Sequence, residues 1–194
     1  MLVFTGTDRL MHFLWDAYED KRHKYHNAFL DHFRKIDQAI GEINSRIPDD
    51  ELLIMLSDHG FEHLEKDVYL NFLLSQEGLL KLDGISDNPW SHIDYPSKAF
   101  ALDPARIYIN LKNKYPKGSV GPKDQGKVLR DLELLFGSLE IDNQRVIRNV
   151  YHKEEIYSGP RLDNAPDLVL VPNPGFNLKA SLKEERLSGR DVFT

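Results

Sequence analysis

Two pairs of acidic and imidazole side chains are the residues of this sequence whose types and spacing could carry out chemistry. Asp8 and His12 are four residues apart, and Asp58 and His59 are adjacent. Carboxylate and imidazole are ligands that zinc and manganese accept, and the chain has no cysteine, which excludes a thiolate site. Each pair also has an ordinary explanation: a solvated turn for Asp58 and His59, and a helix cap or helix-dipole partner for Asp8.

The segment ahead of the second pair predicts a strand that would position it. Residues 52–56 form an unbroken apolar run, which is typical of a strand buried on both faces of a parallel sheet. The run ends directly before Asp58 and His59, and Gly60 permits a sharp exit of the chain. Because ligands of open α/β sheets bind outside the carboxyl ends of the strands, we expect both side chains to face such a crevice.

The first pair is predicted to reach the same place. Residues 2–4 form a short apolar run that reads as another strand. If a helix begins near Thr7, the spacing of Asp8 and His12 places them on one helical face, and the helical stretch runs on to residue 43, with clear helical spacing from about Tyr25 onward. The sequence therefore predicts a β-α-β unit over residues 2–60, with parallel strands whose carboxyl ends bring both pairs to one edge.

Beyond this unit we predict an α/β fold with a mostly parallel central sheet flanked by helices. The chain is long enough for one good-sized domain or two small ones, and we place a single domain over residues 1–194, with peripheral strands and loops over residues 83–126. Helical spacing or turn residues predict helices at 68–76 and 124–139, a helical turn at 153–157, and strands at 98–102, 106–111, 146–150 and 167–171.

Composition excludes several classes of partner. The net charge is -6, with both signs mixed along the chain, so no basic stripe predicts nucleic acid as a partner. No apolar run approaches the roughly 20 residues of a membrane span, and no membrane partner is predicted. The first residues lack the basic flank of a signal peptide, and we expect a cytoplasmic protein.

Two blocks resemble signatures of the alkaline phosphatase superfamily. Residues 7–15 (TDRLMHFLW) and 57–61 (SDHGF) resemble blocks of the type I phosphodiesterase/nucleotide pyrophosphatase branch, in its predicted phosphohydrolase or phosphomutase subgroup. Residues 68–71, 105–111 and 165–168 also look like that subgroup, so the resemblance covers most of the chain. It implies an alkaline-phosphatase-like fold, incomplete here, and a phosphate-ester small molecule as substrate.

The resemblance also implies roles for individual residues. Asp8 and His12 would bind one divalent metal ion, and Asp58 and His59 a second, with zinc expected and manganese as the alternative. Four of six expected protein metal ligands are then present. A metal-binding Asp and the nucleophilic Thr or Ser are expected upstream of Met1, and the last ligand, a His, beyond Thr194, so we expect a carboxyl-side fragment that is inactive by itself.

Arg9 and His63 are weaker candidates for substrate binding. Arg9 could contact a phosphate or form a surface salt bridge, and His63 could line the crevice or contact a metal ligand.

Three functional hypotheses remain at this stage. The first is a metal-dependent phosphohydrolase. The second is a phosphomutase or phosphotransferase, which shares the metal site and differs in the acceptor. The third is a non-catalytic folded module that needs a partner segment. A possible homodimer follows from the unpaired edge that a truncated sheet exposes.

Overall fold

The computed structural model describes residues 2–84 and 89–189. The chain divides into two compact units, Met1–His63 and Leu64–Thr194, and each unit is described by itself. The expectation of a single domain over residues 1–194 stays a prediction, and part of its peripheral segment, residues 85–88, lies outside the described residues. Within the described ranges, every helix is too short or too polar to cross a membrane.

Two helices form the ordered part of the first unit: α1 (Gly6–Glu19) and α2 (His26–Asn44). The uninterrupted helix expected here is broken at residues 20–25. Asp20 takes an extended conformation, and its carboxylate accepts a hydrogen bond from the backbone N–H of Arg22 at 2.9 Å. Aspartate favours such local turns because its side chain competes for nearby backbone donors.

The two apolar runs of the first unit are not strands. No backbone hydrogen bond joins residues 52–56 to another described residue, and residues 2–4 belong to no strand. Leu52 is 82% exposed and Leu56 is 86% exposed. The prediction of a buried parallel strand at this position is therefore wrong. An apolar run becomes a strand only where a neighbour supplies hydrogen-bond partners, and the described residues of this unit form no such neighbour.

The second unit contains the remaining helices and the strands. Its helices are α3 (Leu70–Gln76), α4 (Pro122–Gly137) and α5 (Lys153–Ile156), with 3₁₀ turns at Pro89–His92 and Leu162–Asn164. Its strands are β1 (Leu64–Tyr69), β2 (Ala99–Leu102), β3 (Arg106–Ile109), β4 (Glu140–Ile141), β5 (Gln144–Arg145), β6 (Ile147–His152), β7 (Leu168–Pro172), β8 (Gly175–Lys179) and β9 (Ser188–Gly189).

Most strand pairs of the second unit are antiparallel. The four-stranded sheet has the order β2-β3-β7-β6 with antiparallel neighbours throughout. In the three-stranded sheet, β1 pairs with β8 in parallel and with β9 antiparallel, and β4 and β5 form a short antiparallel pair. A mixed α/β fold is confirmed, but the mostly parallel sheet is not. Tight connections such as residues 103–105 between β2 and β3 enforce antiparallel pairing, whereas parallel strands need a long crossover.

Helix α4 supplies one wall of the core of the second unit. Its buried side chains recur every four residues and form one apolar face: Val128, Leu132 and Phe136. The helix packs against β3 and β6 of the four-stranded sheet. The strands contribute fully buried branched residues, among them Ile107, Ile109 and Leu168.

A buried ion pair connects β7, β3 and α5. Asp167, directly before β7, is 3% exposed, and its Oδ2 accepts the backbone N–H of Ile109 at 2.8 Å. Its Oδ1 accepts a hydrogen bond from Lys153 Nζ at 3.0 Å, and the Lys153 side chain is 13% exposed. The carboxylate thus satisfies a buried backbone donor and a nearly buried ammonium group together.

Candidate metal centre

Helix α1 presents the first pair of candidate ligands. Asp8 lies in its first turn, where the helix dipole favours a carboxylate. One turn later, His12 Nε2 is 3.6 Å from Asp8 Oδ1, which is the proximity that the four-residue spacing produces on a helix. Both side chains are half exposed or more, at 50% for Asp8 and 61% for His12.

A tight turn fixes the second pair. Asp58 Oδ1 accepts the backbone N–H of His59 at 3.2 Å, and the Ser57 hydroxyl donates to the His59 carbonyl oxygen. His59 Nδ1 lies 3.0 Å from the carbonyl oxygen of Gly60. A carbonyl can only accept, so Nδ1 carries the hydrogen and the neutral imidazole keeps a lone pair on Nε2. That is the tautomer in which Nε2 can bind a metal ion.

The His59 ring lies between the two candidate carboxylates. Its Nε2 is 3.9 Å from Asp8 Oδ1 and 3.7 Å from Asp58 Oδ2. Because Asp8 also faces His12, the four side chains form one continuous cluster although residues 8 and 58 are far apart in sequence. Asp58 is the most exposed member, at 88%.

The electrostatic environment of this cluster is negative. The pKa of His59 is raised, first by the hydrogen bond to the Gly60 carbonyl and then by the charges of Asp58 and, more weakly, Asp8. The two carboxylates that stabilise a protonated imidazole also attract a metal cation. The acidic character of the site therefore favours cation binding over binding of a bare anion.

A cleft of about 390 Å³ opens beside this cluster, and His12 does not line it. Its walls are formed by residues between 3 and 11, at the start of α1 and just before it, and between 57 and 61, in the turn. They include Asp8, Asp58 and His59. Arg9, Thr7 and Ser57 line the same cleft. The volume is that of a small-molecule site.

The structure places His63 elsewhere in the first unit. His63 Nδ1 is 3.4 Å from Glu19 Oε2, and His63 does not line the cleft. Its role in substrate binding stays a prediction, as does that of Arg9, which does line the cleft.

Sequence reasoning overlooked the ring of Phe61. Its centroid lies 4.8 Å from that of the His12 ring and 5.5 Å from that of the His59 ring. The available signal was its place directly after the Asp58, His59 and Gly60 turn, but ring contacts across separate segments cannot be read from spacing.

The donor types fit divalent metal ions, although the described residues hold no completed site. Carboxylate and imidazole donors suit zinc and manganese, and His59 has the required tautomer. Within residues 2–84 and 89–189, no group of three or more such donors is arranged to hold a metal ion. Asp8 Oδ1 lies 3.6 and 3.9 Å from the two imidazole nitrogens, so closure around an ion requires side-chain adjustment.

Comparison with known proteins identifies the class of this chain. The model of the type I phosphodiesterase / nucleotide pyrophosphatase family matches residues 1–191. The chain therefore belongs to that family, which confirms the resemblance carried by residues 7–15 and 57–61. The family name describes enzymes that hydrolyse phosphoric esters. No curated protein and no solved structure matches the chain.

Proposed function

We propose that this chain contributes the metal-binding part of a metal-dependent phosphohydrolase that cleaves small-molecule phosphate esters. The observation that supports this most directly is the position of His59 Nε2, 3.9 Å from Asp8 and 3.7 Å from Asp58. Family membership supplies the reaction class. Zinc is the proposed metal, with manganese as the alternative.

Each residue has a definite task in this proposal. Asp8 and His12 hold one divalent ion, and Asp58 and His59 hold a second. When bound, such ions neutralise charge on phosphoryl oxygens and lower the pKa of an attacking hydroxyl group or water. The Gly60 carbonyl keeps His59 Nε2 open to the cleft, and Arg9 binds a substrate phosphate at the cleft wall.

Metal binding by the purified chain tests the proposal. Zn²⁺ and Mn²⁺ affinities are measured by equilibrium dialysis for the wild type, Asp58→Asn and His59→Ala. Both variants are expected to bind at least about tenfold more weakly, since even indirect neighbours of a metal site cause such losses. His63→Ala is the matched control, because His63 is 50% exposed, close to the 55% of His59, and pairs with Glu19. Equal affinity in all four proteins would contradict the proposal.

Turnover is expected to be absent from these 194 residues alone. According to the resemblance, the nucleophile and two of the six metal ligands are not among these residues. Bis-p-nitrophenyl phosphate should therefore remain intact with added Zn²⁺. Robust hydrolysis that is lost in His59→Ala would show that this chain has a complete site. A phosphomutase or phosphotransferase would be recognised by transfer of the phosphoryl group to another hydroxyl group of the substrate or to an added alcohol instead of to water.

One observation favours the alternative of a non-catalytic module that needs a partner segment: the described residues hold no closed group of three metal-ligand side chains. In that case the purified chain binds neither metal, and Asp58→Asn and His59→Ala match the wild type in every assay.

Further expectations about partners and location stay predictions. A homodimer is supported by the exposed apolar side chains of residues 52–56, because an exposed apolar patch tends to be covered by another protein surface. A monomeric mass by light scattering would remove it. The expected cytoplasmic location and the expected lack of nucleic-acid and membrane partners also stay predictions.

A further inference from the structure

One aromatic ring contacts both candidate imidazole ligands. The rings of Phe61 and His12 meet edge to face, with centroids 4.8 Å apart and planes at 83°. The rings of Phe61 and His59 are 5.5 Å apart and tilted at 51°. His12 lies on α1 and His59 in the turn after residue 56, so Phe61 joins the two halves of the candidate metal centre. Edge-to-face packing is a favoured arrangement of aromatic rings.

The Phe61 ring is itself supported from α1. Trp15, three residues after His12 and just past a kink of α1 at Leu14, stacks on Phe61 with centroids 6.1 Å apart and planes at 28°. Trp15 Nε1 donates a hydrogen bond to Glu19 Oε1 at 3.0 Å, which fixes the indole in turn. The ring that contacts the imidazoles therefore rests on an anchored neighbour.

His12 depends on this contact more than His59 does. His59 is oriented by the hydrogen bond from its Nδ1 to Gly60. Among the residues that the structure describes, no hydrogen bond orients the His12 ring, whose polar neighbour is Asp8 at 3.6 Å. The ring torsion of histidine is broad and has two nearly equivalent wells. A ring packed against one edge restricts that torsion, whereas a flexible aliphatic side chain would not.

We propose that Phe61 is a positioning residue for the metal centre: it holds the His12 and His59 rings so that both Nε2 atoms face Asp8. This inference rests on the proposed function, because it assigns Phe61 a task toward the ions that those imidazoles bind. Phe61 acts through the two histidines and touches neither metal nor substrate in this scheme. Phe61 thus orients the two imidazoles, a task that hydrogen bonds from neighbouring groups usually perform for metal ligands.

The test compares three substitutions by two measurements. Phe61→Leu removes the ring, Phe61→Tyr retains it, and Phe13→Leu makes the same change next to His12 at a side chain that is 75% exposed. Co²⁺ titration followed by visible absorption reports affinity and coordination geometry. Proton NMR of the metal-free protein reports the ring-current shift that the Phe61 ring imposes on the His12 ring protons.

Phe61→Leu is expected to weaken Co²⁺ binding about 10- to 100-fold, change the visible spectrum and abolish the His12 shift. Phe61→Tyr and Phe13→Leu are expected to match the wild type. Far-UV circular dichroism checks folding, and Phe61→Met replaces the leucine variant if that variant unfolds, because methionine fills the space without a ring.

The outcomes separate this inference from the proposed function. If the wild type binds Co²⁺ through His59 and Phe61→Leu keeps the same affinity and spectrum, the inference is overturned and the proposed function stands. If neither the wild type nor the His59→Ala variant binds Co²⁺, the proposed function fails. The NMR shift then reports whether the Phe61 ring packs against His12 in solution, and an unchanged shift in Phe61→Leu overturns the contact on which the inference rests.

Discussion

Truncation of Asp167 to Ala is expected to destabilise the second unit by about 3–5 kcal/mol, the range for breaking a buried ion pair. The carboxylate is 3% exposed and accepts hydrogen bonds from Ile109 N–H and Lys153 Nζ. Its loss leaves a buried backbone donor without a partner and a largely buried ammonium group without a counter-charge. Both costs arise in the folded state, because water solvates the same groups in the unfolded chain.

The reverse truncation and the double variant sharpen the expectation. Lys153→Met keeps the aliphatic stem but leaves the carboxylate with a single hydrogen bond, and its cost falls in the same range of about 3–5 kcal/mol. In the double variant Lys153→Met with Asp167→Asn, no charge is buried and the amide oxygen still accepts Ile109 N–H. It is expected to lose only about 1–3 kcal/mol, because the buried amide NH₂ of Asn then lacks the partner that Lys153 gave to Asp167 Oδ1. The two sites are therefore strongly non-additive.

Hydrogen exchange measured by mass spectrometry on peptides from β3 and β7 is the appropriate assay. The chain has two compact units, so a two-state fit of the whole chain is not justified, whereas exchange reports the opening free energy of the region itself. Lys117→Met is the matched control. Lys117 Nζ and Asp83 Oδ2 are also 3.0 Å apart, but those side chains are 43% and 47% exposed. Exposed pairs contribute about 0–1 kcal/mol, so the control should change little.

Two results would refute this reasoning. One is a loss below about 1 kcal/mol in both single variants, which would place the pair among exposed ones. The other is a double variant as unstable as the two single losses combined, which would show that burial of the charges is not what couples them.

Two further predictions concern the loop after β3. A Cβ added to Gly118 would collide with the Leu111 carbonyl oxygen and lie 2.6 Å from its carbon, so Gly118→Ala should lower the opening free energy measured by hydrogen exchange on peptides from β3 by about 1–3 kcal/mol or more. Gly137→Ala, with no atom within 4 Å, should be neutral or stabilising, and equal effects would contradict the collision. Burial, and then the charge of Asp167, raises the pKa of Tyr115 to about 12 from 10.0. The folded state therefore retains a proton that the unfolded state loses, and stability should be intact below pH 10 and fall toward pH 12. Tyr115→Phe should flatten that fall in pH-dependent unfolding, and an unchanged slope would exclude Tyr115 as its source.

Local signals predicted much of the second unit. Turn residues between two strand-like segments, 98–102 and 106–111, predicted two strands, and the structure confirms β2 and β3 there. Four-residue spacing predicted α4, which begins at Pro122, a favoured first helical residue. These elements are specified by side chains that lie close together in sequence.

Elements defined by distant partners were missed. The helix predicted over residues 68–76 begins only at Leu70, because Val68 and Tyr69 end β1, a strand that pairs with β8 and β9 on its two sides. Conversely, the apolar residues 52–56 were expected to be buried, yet Ile54 is 69% exposed. The composition of a segment indicates how well it would fit into a sheet. Whether a strand is available to pair with it depends on the rest of the fold.

For the same reason, the candidate site could be predicted only in part from the sequence. The four-residue interval between Asp8 and His12 predicts their proximity on a helix. His59 approaches Asp8 because the chain reverses its direction over about fifty residues. The spacing of residues in the sequence does not predict that reversal.

The unpaired run at residues 52–56 bears directly on the imidazole that follows it. These five residues lead toward Asp58 without a backbone hydrogen bond to any described residue. No described strand therefore fixes the orientation of this segment. Any polypeptide that aligned alongside them would set the angle at which the chain enters the turn, and with it the aim of the His59 ring. Binding of a polypeptide along residues 52–56 and binding of an ion by the cluster would then be coupled.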